Sequence, residues 1–379
     1  MILPPATLGM LGGGQLGRFF VTAAHEMGFK VWVLDPDPHS PAGLIADQHL
    51  VAAYEDFAAL DRLAAECAAV TTEFENVPAA TLEYLSKFLP VHPRADAVAV
   101  CQNRIREKTF LAEHGIAHGP FAVIRSDDDV RNAPAELFPA ILKIARFGYD
   151  GKGQARVTSH AEALHAYHQF GDDCVLEKML PLDCEVSVVL ARDEAGNVAC
   201  FPVGENRHRN GILDVTIAPA RVDAALAAQA QQAATTIAEK LGYIGTLGVE
   251  FFVTGGKLVV NEMAPRPHNS GHHTIDACVS NQYEQQVRAL VGLPLGEPRQ
   301  HSAAVMVNLL GDLWFDGDHY REPDWAVLHR EPGLLLHLYG KHHARHGRKM
   351  GHFTVIGTDA ADVLERAMRA RAAIGITDE

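Results

Sequence analysis

Between Asn261 and His272 the chain reads Asn-Glu-Met-Ala-Pro-Arg-Pro-His-Asn-Ser-Gly-His, which gathers a carboxylate, amides, a guanidinium and two imidazoles into twelve residues. Pro265, Pro267 and Gly271 forbid a regular helix there. The run follows an apolar strand, Lys257 to Val260. Side chains of this kind, fixed at the end of a strand, have the chemistry of a site that binds an anion or a metal and moves a proton.

The strand before it sharpens that reading. Leu247-Gly248-Val249-Glu250-Phe251-Phe252-Val253 turns at Thr254-Gly255-Gly256 and returns as Leu258 to Glu262. A three-residue loop, Gly255 to Lys257, sets Glu250 directly opposite Glu262 on one face. Like charges opposed in an apolar hairpin are destabilising unless a cation lies between them. Mg²⁺ takes oxygen ligands and usually bridges carboxylates to phosphates, so the pair predicts a magnesium nucleotide site.

Two glycine-rich segments could receive phosphate. Gly12-Gly13-Gly14-Gln15-Leu16-Gly17 follows an apolar run and precedes a helical stretch and the strand Lys30 to Asp35, a βαβ opening. Asp35 stands near the ribose position of a dinucleotide fold, so NAD, another anion or a bare tight turn all fit this segment. Phe147-Gly148-Tyr149-Asp150-Gly151-Lys152-Gly153-Gln154 follows the strand Ala140 to Ile144, whose one lysine is Lys143. Its glycines let backbone amides approach an anion, or simply turn a hairpin. Glu73 and Glu75 sit at the carboxyl end of a strand near Val70, where they face a ligand or cap the helix after Pro78. A further hairpin runs through Glu185 to Val189 and returns as Val198 to Val203, and residues 225 to 240 form an Ala/Gln-rich amphipathic helix.

The elements that position these residues need more than one core, since 379 residues with 47% apolar composition suggest two or three domains. A formal charge of −14 excludes nucleic acid or an anionic membrane as the main partner. A phosphate-bearing ligand must therefore meet a local basic cluster, and the densest is Lys341 with Arg345-His346-Gly347-Arg348-Lys349. Six scattered cysteines without a CxxC pair, no basic leader and no long apolar run predict a reduced, soluble, cytoplasmic protein. Clustered histidines (His268, His272, His273; His342, His343, His346) raise catalytic zinc, but no HExxH-type pattern supports it.

Taken together, the segments 13 to 18, 148 to 154, 261 to 272 and 339 to 352 resemble the ATP-grasp ligases, and among them the 5-(carboxyamino)imidazole ribonucleotide synthetases. The resemblance implies an α/β and α+β protein with an ATP-grasp fold. It implies a Rossmann-like pre-ATP-grasp domain (1–100), an ATP-grasp domain (101–295) with a lid at about 118–180, and a small β-rich C-terminal domain (296–379). ATP would meet Arg104 and Lys143 at its phosphates, the mobile loop Gly148, Tyr149, Asp150, Gly151, Lys152, Gly153 and Gln154, and the hinge Glu177, Lys178, Met179 and Leu180. Glu185 and His208 would lie near the ribose, and Glu250 and Glu262 would hold Mg²⁺ with Asn261 beside them. Aminoimidazole ribonucleotide would use Gln15, Glu73, Tyr149, Lys152 and Asn269, with Lys341, Arg348 and Lys349 on its phosphate. Arg266, His268, Asp150 and Lys341 would act on the reacting groups, with bicarbonate as second substrate and a homodimer as the assembly.

The sequence departs from the family's motif at Lys152, where arginine is common, at His273 in place of tryptophan, and at His346 in place of proline. Lys for Arg keeps the charge but loses the bidentate geometry. Competing readings are a formate-dependent glycinamide ribonucleotide transformylase, a nucleotide-binding oxidoreductase and a non-catalytic nucleotide sensor. The first would lack the 339 to 352 cluster in this form, the second would turn over no ATP, and the third needs no carboxylate pair.

Overall fold

The computed structural model describes residues 1–148, 152–317 and 319–377. Near the N-terminus, strands Thr7–Leu11, Lys30–Leu34, Gln48–Leu50 and Ala69–Thr72 form a parallel sheet. The first strand lies between the second and the fourth, so the order reverses beside it. In such sheets the carboxyl ends at the reversal form a crevice. Those ends are Gly12 to Gly14, Asp35 and Glu73, and helix Gln15–Glu26 buries Leu16, Phe20, Val21 and Ala24 against the sheet.

A second sheet takes strands Phe121–Ile124, Cys174–Lys178, Ala140–Ile144 and Gln154–Val157 in that spatial order, all antiparallel. Helices Asp127–Asn132 and His160–Phe170 supply Val130, Ala163 and Ala166 to its core with Ile124, Leu142 and Leu176. The amide of Ile144 donates to Gly153 O at 2.9 Å, closing the base of the glycine-rich loop.

The largest sheet has nine antiparallel strands. Helix Ala224–Lys240 buries Ala230, Ala234, Ile237 and Ala238 against it, as the apolar spacing of 225 to 240 predicts. Apart from the short pair Phe315–Asp316 and His319–Tyr320, the strands after residue 300 do not make a sheet of their own. Ala303–Leu310 pairs with Ile212–Ala218, and Lys349–Gly357 and Leu334–Leu338 follow outward, so the C-terminal part continues the central sheet. Helix Ala360–Ala373 covers it with Val363 and Ala367. The return strand expected over Val198 to Val203 pairs only over Val198–Cys200.

The glutamate hairpin consists of strands Gly245–Thr254 and Lys257–Ala264, joined by a loop of two residues and not three. Gly255 and Gly256 both have positive φ, +55° and +69°, which a primed turn requires and L side chains resist. From Thr254↔Lys257 the regular register runs to Phe251↔Val260, and a bulge then inserts Asn261, so Glu250 still faces Glu262. The expected opposition is present, and Asn261 restores it.

Candidate active site

A cavity of about 630 Å³ opens between the carboxyl ends of the parallel sheet, the Arg266–Asn269 segment and the basic run Lys341–Lys349. Gln15, Glu73, Lys152, Asn269, Lys341, Arg348 and Lys349 line it, and so do Arg266 and His268. Tyr149, Asp150 and Gly151 lie outside the described residues. Unanticipated on its wall are Asp37, Ser40, Tyr54 and Asn76.

The glycine-rich turn of the N-terminal unit builds the floor. Gly14 N–H and Gly17 N–H donate to the two Glu73 carboxylate oxygens at 2.8 and 3.2 Å. Gly13 N–H and Tyr54 Oη donate to Asp35 Oδ2 at 2.7 and 2.8 Å. The amides that a dinucleotide phosphate would need are thus taken by the protein's own carboxylates. Asp35 holds backbone and is no ribose ligand, so the NAD reading of this segment falls. A Cβ at Gly14 would lie 2.7 Å from Glu73 Oε1, which explains a glycine there. Burial raises the Glu73 pKa against the pull of those amides. Neither Glu73 nor Glu75 caps the helix after Pro78, whose N-cap has no side-chain bond.

Arg266 is anchored by Glu75, Nη2 and Nε both reaching Oε2, at 2.6 and 3.0 Å. Burial favours a neutral Glu75, yet Arg266 holds its carboxyl below the usual range. Both side-chain polar atoms of Asn269 are buried without a hydrogen-bond partner among the described residues. An orphaned amide on a cavity wall is what a polar ligand would satisfy.

On the other side of His268 lies a cluster of charges. Helix Arg104–Glu113 starts at Asn103, whose side chain accepts from Ile105 and Arg106 N–H. It carries Arg104 and, one turn on, Lys108. Arg104 Nη1 reaches Glu262 Oε2 at 3.1 Å, and Lys108 Nζ donates to Asn261 O at 2.8 Å. Lys143 Nζ meets Glu177 Oε2 at 3.2 Å and Lys108 Nζ the same oxygen at 3.5 Å. Burial works to raise the Glu177 pKa, but Lys143, Lys108 and Arg104 bring it down to about 2. Lys143 is itself shifted down by burial and by Arg104 and Lys108, even beside Glu177. Arg104, Lys108 and Lys143 thus gather beside Glu262 and Glu177, so phosphate oxygens placed here would meet three cations. The Glu177 carboxylate therefore faces the lysines, while Lys178, Met179 and Leu180 follow at the strand end with Met179 half-exposed.

Glu185 Oε2 lies 2.8 Å from His208 Nδ1. Glu250 Oε1 lies 3.1 Å from His268 Nε2, which joins the charge cluster to the cavity. Burial opposes the Glu250 charge, and His268 and His208 hold its pKa well below the usual carboxylate range. Asn261 Oδ1, next to Glu262 in the chain, is buried without a hydrogen-bond partner among the described residues. Two opposed carboxylates and a spare amide oxygen are a hard-cation donor set.

His272 and His273 are structural. His272 bonds Tyr283 Oη at 2.8 Å and His273 bonds Ser270 O at 2.9 Å, both fully inside. Among the described residues one group, Asp276, His337 and His352, has ligand atoms within 4.8 Å of one another. The rings of His337 and His352 stack at 4.7 Å and 25°, so their in-plane lone pairs run nearly parallel and do not converge on one ion. Nothing here supports zinc. Lys108 was legible in principle, four residues after Arg104 on the same helical face; Ser187, which reaches His268 only through Ser270, carries no sequence signal.

Family models cover the chain in three parts: a ribonucleotide synthetase preATP-grasp domain at 5–102, an ATP-grasp domain at 109–283, and a phosphoribosylaminoimidazole carboxylase C-terminal domain at 304–366. The N5-carboxyaminoimidazole ribonucleotide synthase of Brucella melitensis is 43% identical over 358 residues, 93% of this chain and 97% of that protein. The chain belongs to the N5-carboxyaminoimidazole ribonucleotide synthase family. Its Bacillus subtilis member is 39% identical, with 93% of this chain and 92% of that one aligned. An N5-carboxyaminoimidazole ribonucleotide synthetase solved as its ADP complex superposes with a TM-score of 0.90 at 39% identity, over 98% and 97% of the two chains. The Aspergillus clavatus synthase solved with ADP and 5-aminoimidazole ribonucleotide gives 0.88 at 29% identity, over 97% and 98%. As a member of this synthase family the chain is an ATP-dependent ligase with the ATP-grasp fold. The match at 304–366 also separates it from the transformylase alternative. No helix among the described residues is long and apolar enough to cross a membrane.

Proposed function

We infer that this chain carboxylates 5-aminoimidazole ribonucleotide with bicarbonate at the expense of ATP, giving 5-(carboxyamino)imidazole ribonucleotide for purine synthesis. The observation that carries this reading is the 3.1 Å contact of Glu250 with His268, which connects an anion-seeking charge cluster to a cavity with a basic wall. One place suits a triphosphate and the other a ribose phosphate, and the reacting groups meet between them.

Arg104, Lys108 and Lys143 neutralise the phosphates, with the 148 to 154 segment assigned to the same nucleotide and the 177 to 180 segment beside its base. Glu250 and Glu262, with Asn261, would hold Mg²⁺, which would supply positive charge to offset that of the phosphates. Bicarbonate oxygen attacks the γ-phosphorus and ADP leaves, producing carboxyphosphate. That anhydride is short-lived in water, so a closed cavity is needed. Arg266, His268 and Asn269 surround the carboxyl group, and the exocyclic amine of the ribonucleotide captures it. Lys341, Arg348 and Lys349 bind the ribose phosphate, with Gln15, Glu73 and Lys152 around the remainder. Asp150 is a candidate proton acceptor.

A cytoplasmic setting and a homodimer belong to the same reading; the unbridged state of all six cysteines supports the first. Light scattering in solution tests the second. The function is tested by phosphate release from ATP with bicarbonate, measured with and without aminoimidazole ribonucleotide. Stimulation that needs magnesium, bicarbonate and that nucleotide is expected; equal stimulation by formate with glycinamide ribonucleotide overturns it.

A further inference from the structure

We propose that Ser187 and Ser270 fix His268 in the tautomer with its proton on Nε2, so that His268 serves carboxyl transfer as a hydrogen-bond donor and not as the base. This deepens the reading above and rests on it for the reaction, while the tautomer stands on geometry alone. The amide of Ser270 points at His268 Nδ1 at 3.3 Å. A backbone N–H can only donate, so Nδ1 carries the lone pair. Ser270 Oγ lies 2.8 Å from the same nitrogen, and Ser187 Oγ donates to Ser270 Oγ at 2.8 Å. With its oxygen accepting from Ser187, the Ser270 hydroxyl hydrogen is left for Nδ1.

A neutral imidazole has one N–H, which is therefore on Nε2. That nitrogen faces Glu250 Oε1 at 3.1 Å, and an ionised carboxylate accepts only. One direction of donation runs from Ser187 through Ser270 and His268 to Glu250. Both serines are almost fully inside, Ser187 2% and Ser270 1% exposed, where an unpaired hydroxyl is costly.

The ring has little freedom to leave this arrangement. His268 N–H donates to Gln282 Oε1 and Gln282 Nε2 to His268 O, both at 2.8 Å. A Cβ on Gly248 would sit 2.7 Å from His268 Cβ, so the strand makes room for the histidine at this point. His268 still lines the cavity.

No imidazole lone pair is then left to take a proton from the amine. In the balanced step the amine nitrogen bonds to the carboxyl carbon, and the bond from that carbon to the bridging oxygen breaks. Phosphate leaves with the electron pair and is the final holder of the amine proton, giving the carbamate and hydrogen phosphate. Through its Nε2–H, His268 donates to an oxygen of the carboxyl donor, sharing that hydrogen with Glu250. Ser187 and Ser270 are positioning residues.

Two measurements test this. In ligand-free protein labelled with ¹⁵N-histidine, the signals lost in His268→Gln should be those of an Nε2–H tautomer, and Ser270→Ala should mix the two tautomers. In turnover, His268→Gln places an amide N–H near Nε2 without any base and should keep carboxylation within about tenfold of wild type, whereas His268→Asn, reaching only Nδ1, should fall roughly a hundredfold. Ser270→Ala should lower kcat about tenfold with the KM for ATP unchanged. An Nδ1–H tautomer in the free protein, or folded Gln and Asn variants equally inactive beside an active wild type, overturns the proposal. A wild type without bicarbonate-dependent turnover removes the reaction assigned above, and the tautomer measurement then decides whether the serine relay exists.

Discussion

Arg266 and Glu75, 191 residues apart in sequence, form a tight ion pair through Nη2 and Nε on a single carboxylate oxygen, at 2.6 and 3.0 Å. The remaining nitrogen, Nη1, reaches Pro267 O at 3.2 Å. Glu75 follows the last strand of the parallel sheet and Arg266 follows the glutamate hairpin, so the pair fixes these two units across the cavity mouth. Their side chains are only 30% and 19% exposed. A pair this sheltered matters more for what its loss leaves behind than for its own attraction.

Glu75→Gln should therefore weaken folding by about 1–3 kcal/mol, since it strands a mostly buried guanidinium. It should also lower kcat/KM for aminoimidazole ribonucleotide more than for ATP. Denaturant unfolding beside steady-state kinetics checks both; an unchanged midpoint with normal kinetics would show the pair to be incidental.

Glu250→Gln and Glu262→Gln address the opposed carboxylates. Each change removes one negative charge from a pair that stands face to face, so the ligand-free protein should keep its melting temperature within a few degrees or gain slightly, an effect of roughly 0.2–1 kcal/mol. Turnover should vanish, and the thermal shift caused by magnesium with ATP should disappear. Near-normal turnover of Glu262→Gln at saturating magnesium would count against the assignment, and a large loss of ligand-free stability would make the glutamates structural.

How far these residues were legible depends on whether their partners are near in sequence. The opposition of Glu250 and Glu262 follows from period-two alternation around a glycine turn, and it was visible. The route to it was not, because only coordinates reveal that two positive-φ glycines make a two-residue loop and that Asn261 bulges to restore the pairing. The basic cluster at 341 to 349 stood out against an acidic chain. The carboxylate of Asp35 was misjudged for a physical reason: an acidic side chain near a glycine-rich turn looks like a ribose contact until its oxygens are seen to accept from Gly13 N–H, Asp37 N–H and Tyr54 Oη. Pairing of Val215 with Val307, which merges the C-terminal strands into the central sheet, is a non-local contact with no local signature.

Glu107 offers a pH test. Its carboxylate accepts from Met263 N–H and adjoins Lys108 and Arg104, yet burial wins and raises its pKa from 4.5 to about 7. Between those values the folded state binds more protons than the unfolded one, so this group's contribution to stability is present below pH 4.5 and is lost as pH rises towards 7. Glu107→Gln keeps a shape and an acceptor without the charge. The variant should match wild type near pH 5 and exceed it above pH 7 by on the order of 1–3 kcal/mol in the ligand-free protein. Urea midpoints measured across that range check it, and a variant that loses ground as pH rises would reverse the assigned sign.

The basic wall carries the last prediction. Lys341 Nζ donates to Lys349 O at 2.6 Å, and Arg348 Nη1 donates to His343 O at 2.6 Å, so each cation is steadied by a backbone carbonyl. Gly340 and Gly347 have φ of +72° and +71°, and Gly347 N–H donates to Asp312 Oδ2 at 2.8 Å, which holds the turn in place. Burial, with Arg345 close by, lowers the Arg348 pKa against the opposing pull of Asp37. A phosphate monoester near neutral pH carries close to two charges and is repelled at long range by a protein of net charge −14, so this cluster must overcome that field locally. Lys341→Ala or Arg348→Ala should raise the KM for aminoimidazole ribonucleotide about tenfold or more, the loss of one charge-assisted contact of about 1.5–3 kcal/mol. The KM for ATP should barely move, because the cations assigned to its phosphates, Arg104, Lys108 and Lys143, lie on the other side of His268. Equal weakening of both substrates, or of neither, would show that this wall does not receive the ribose phosphate.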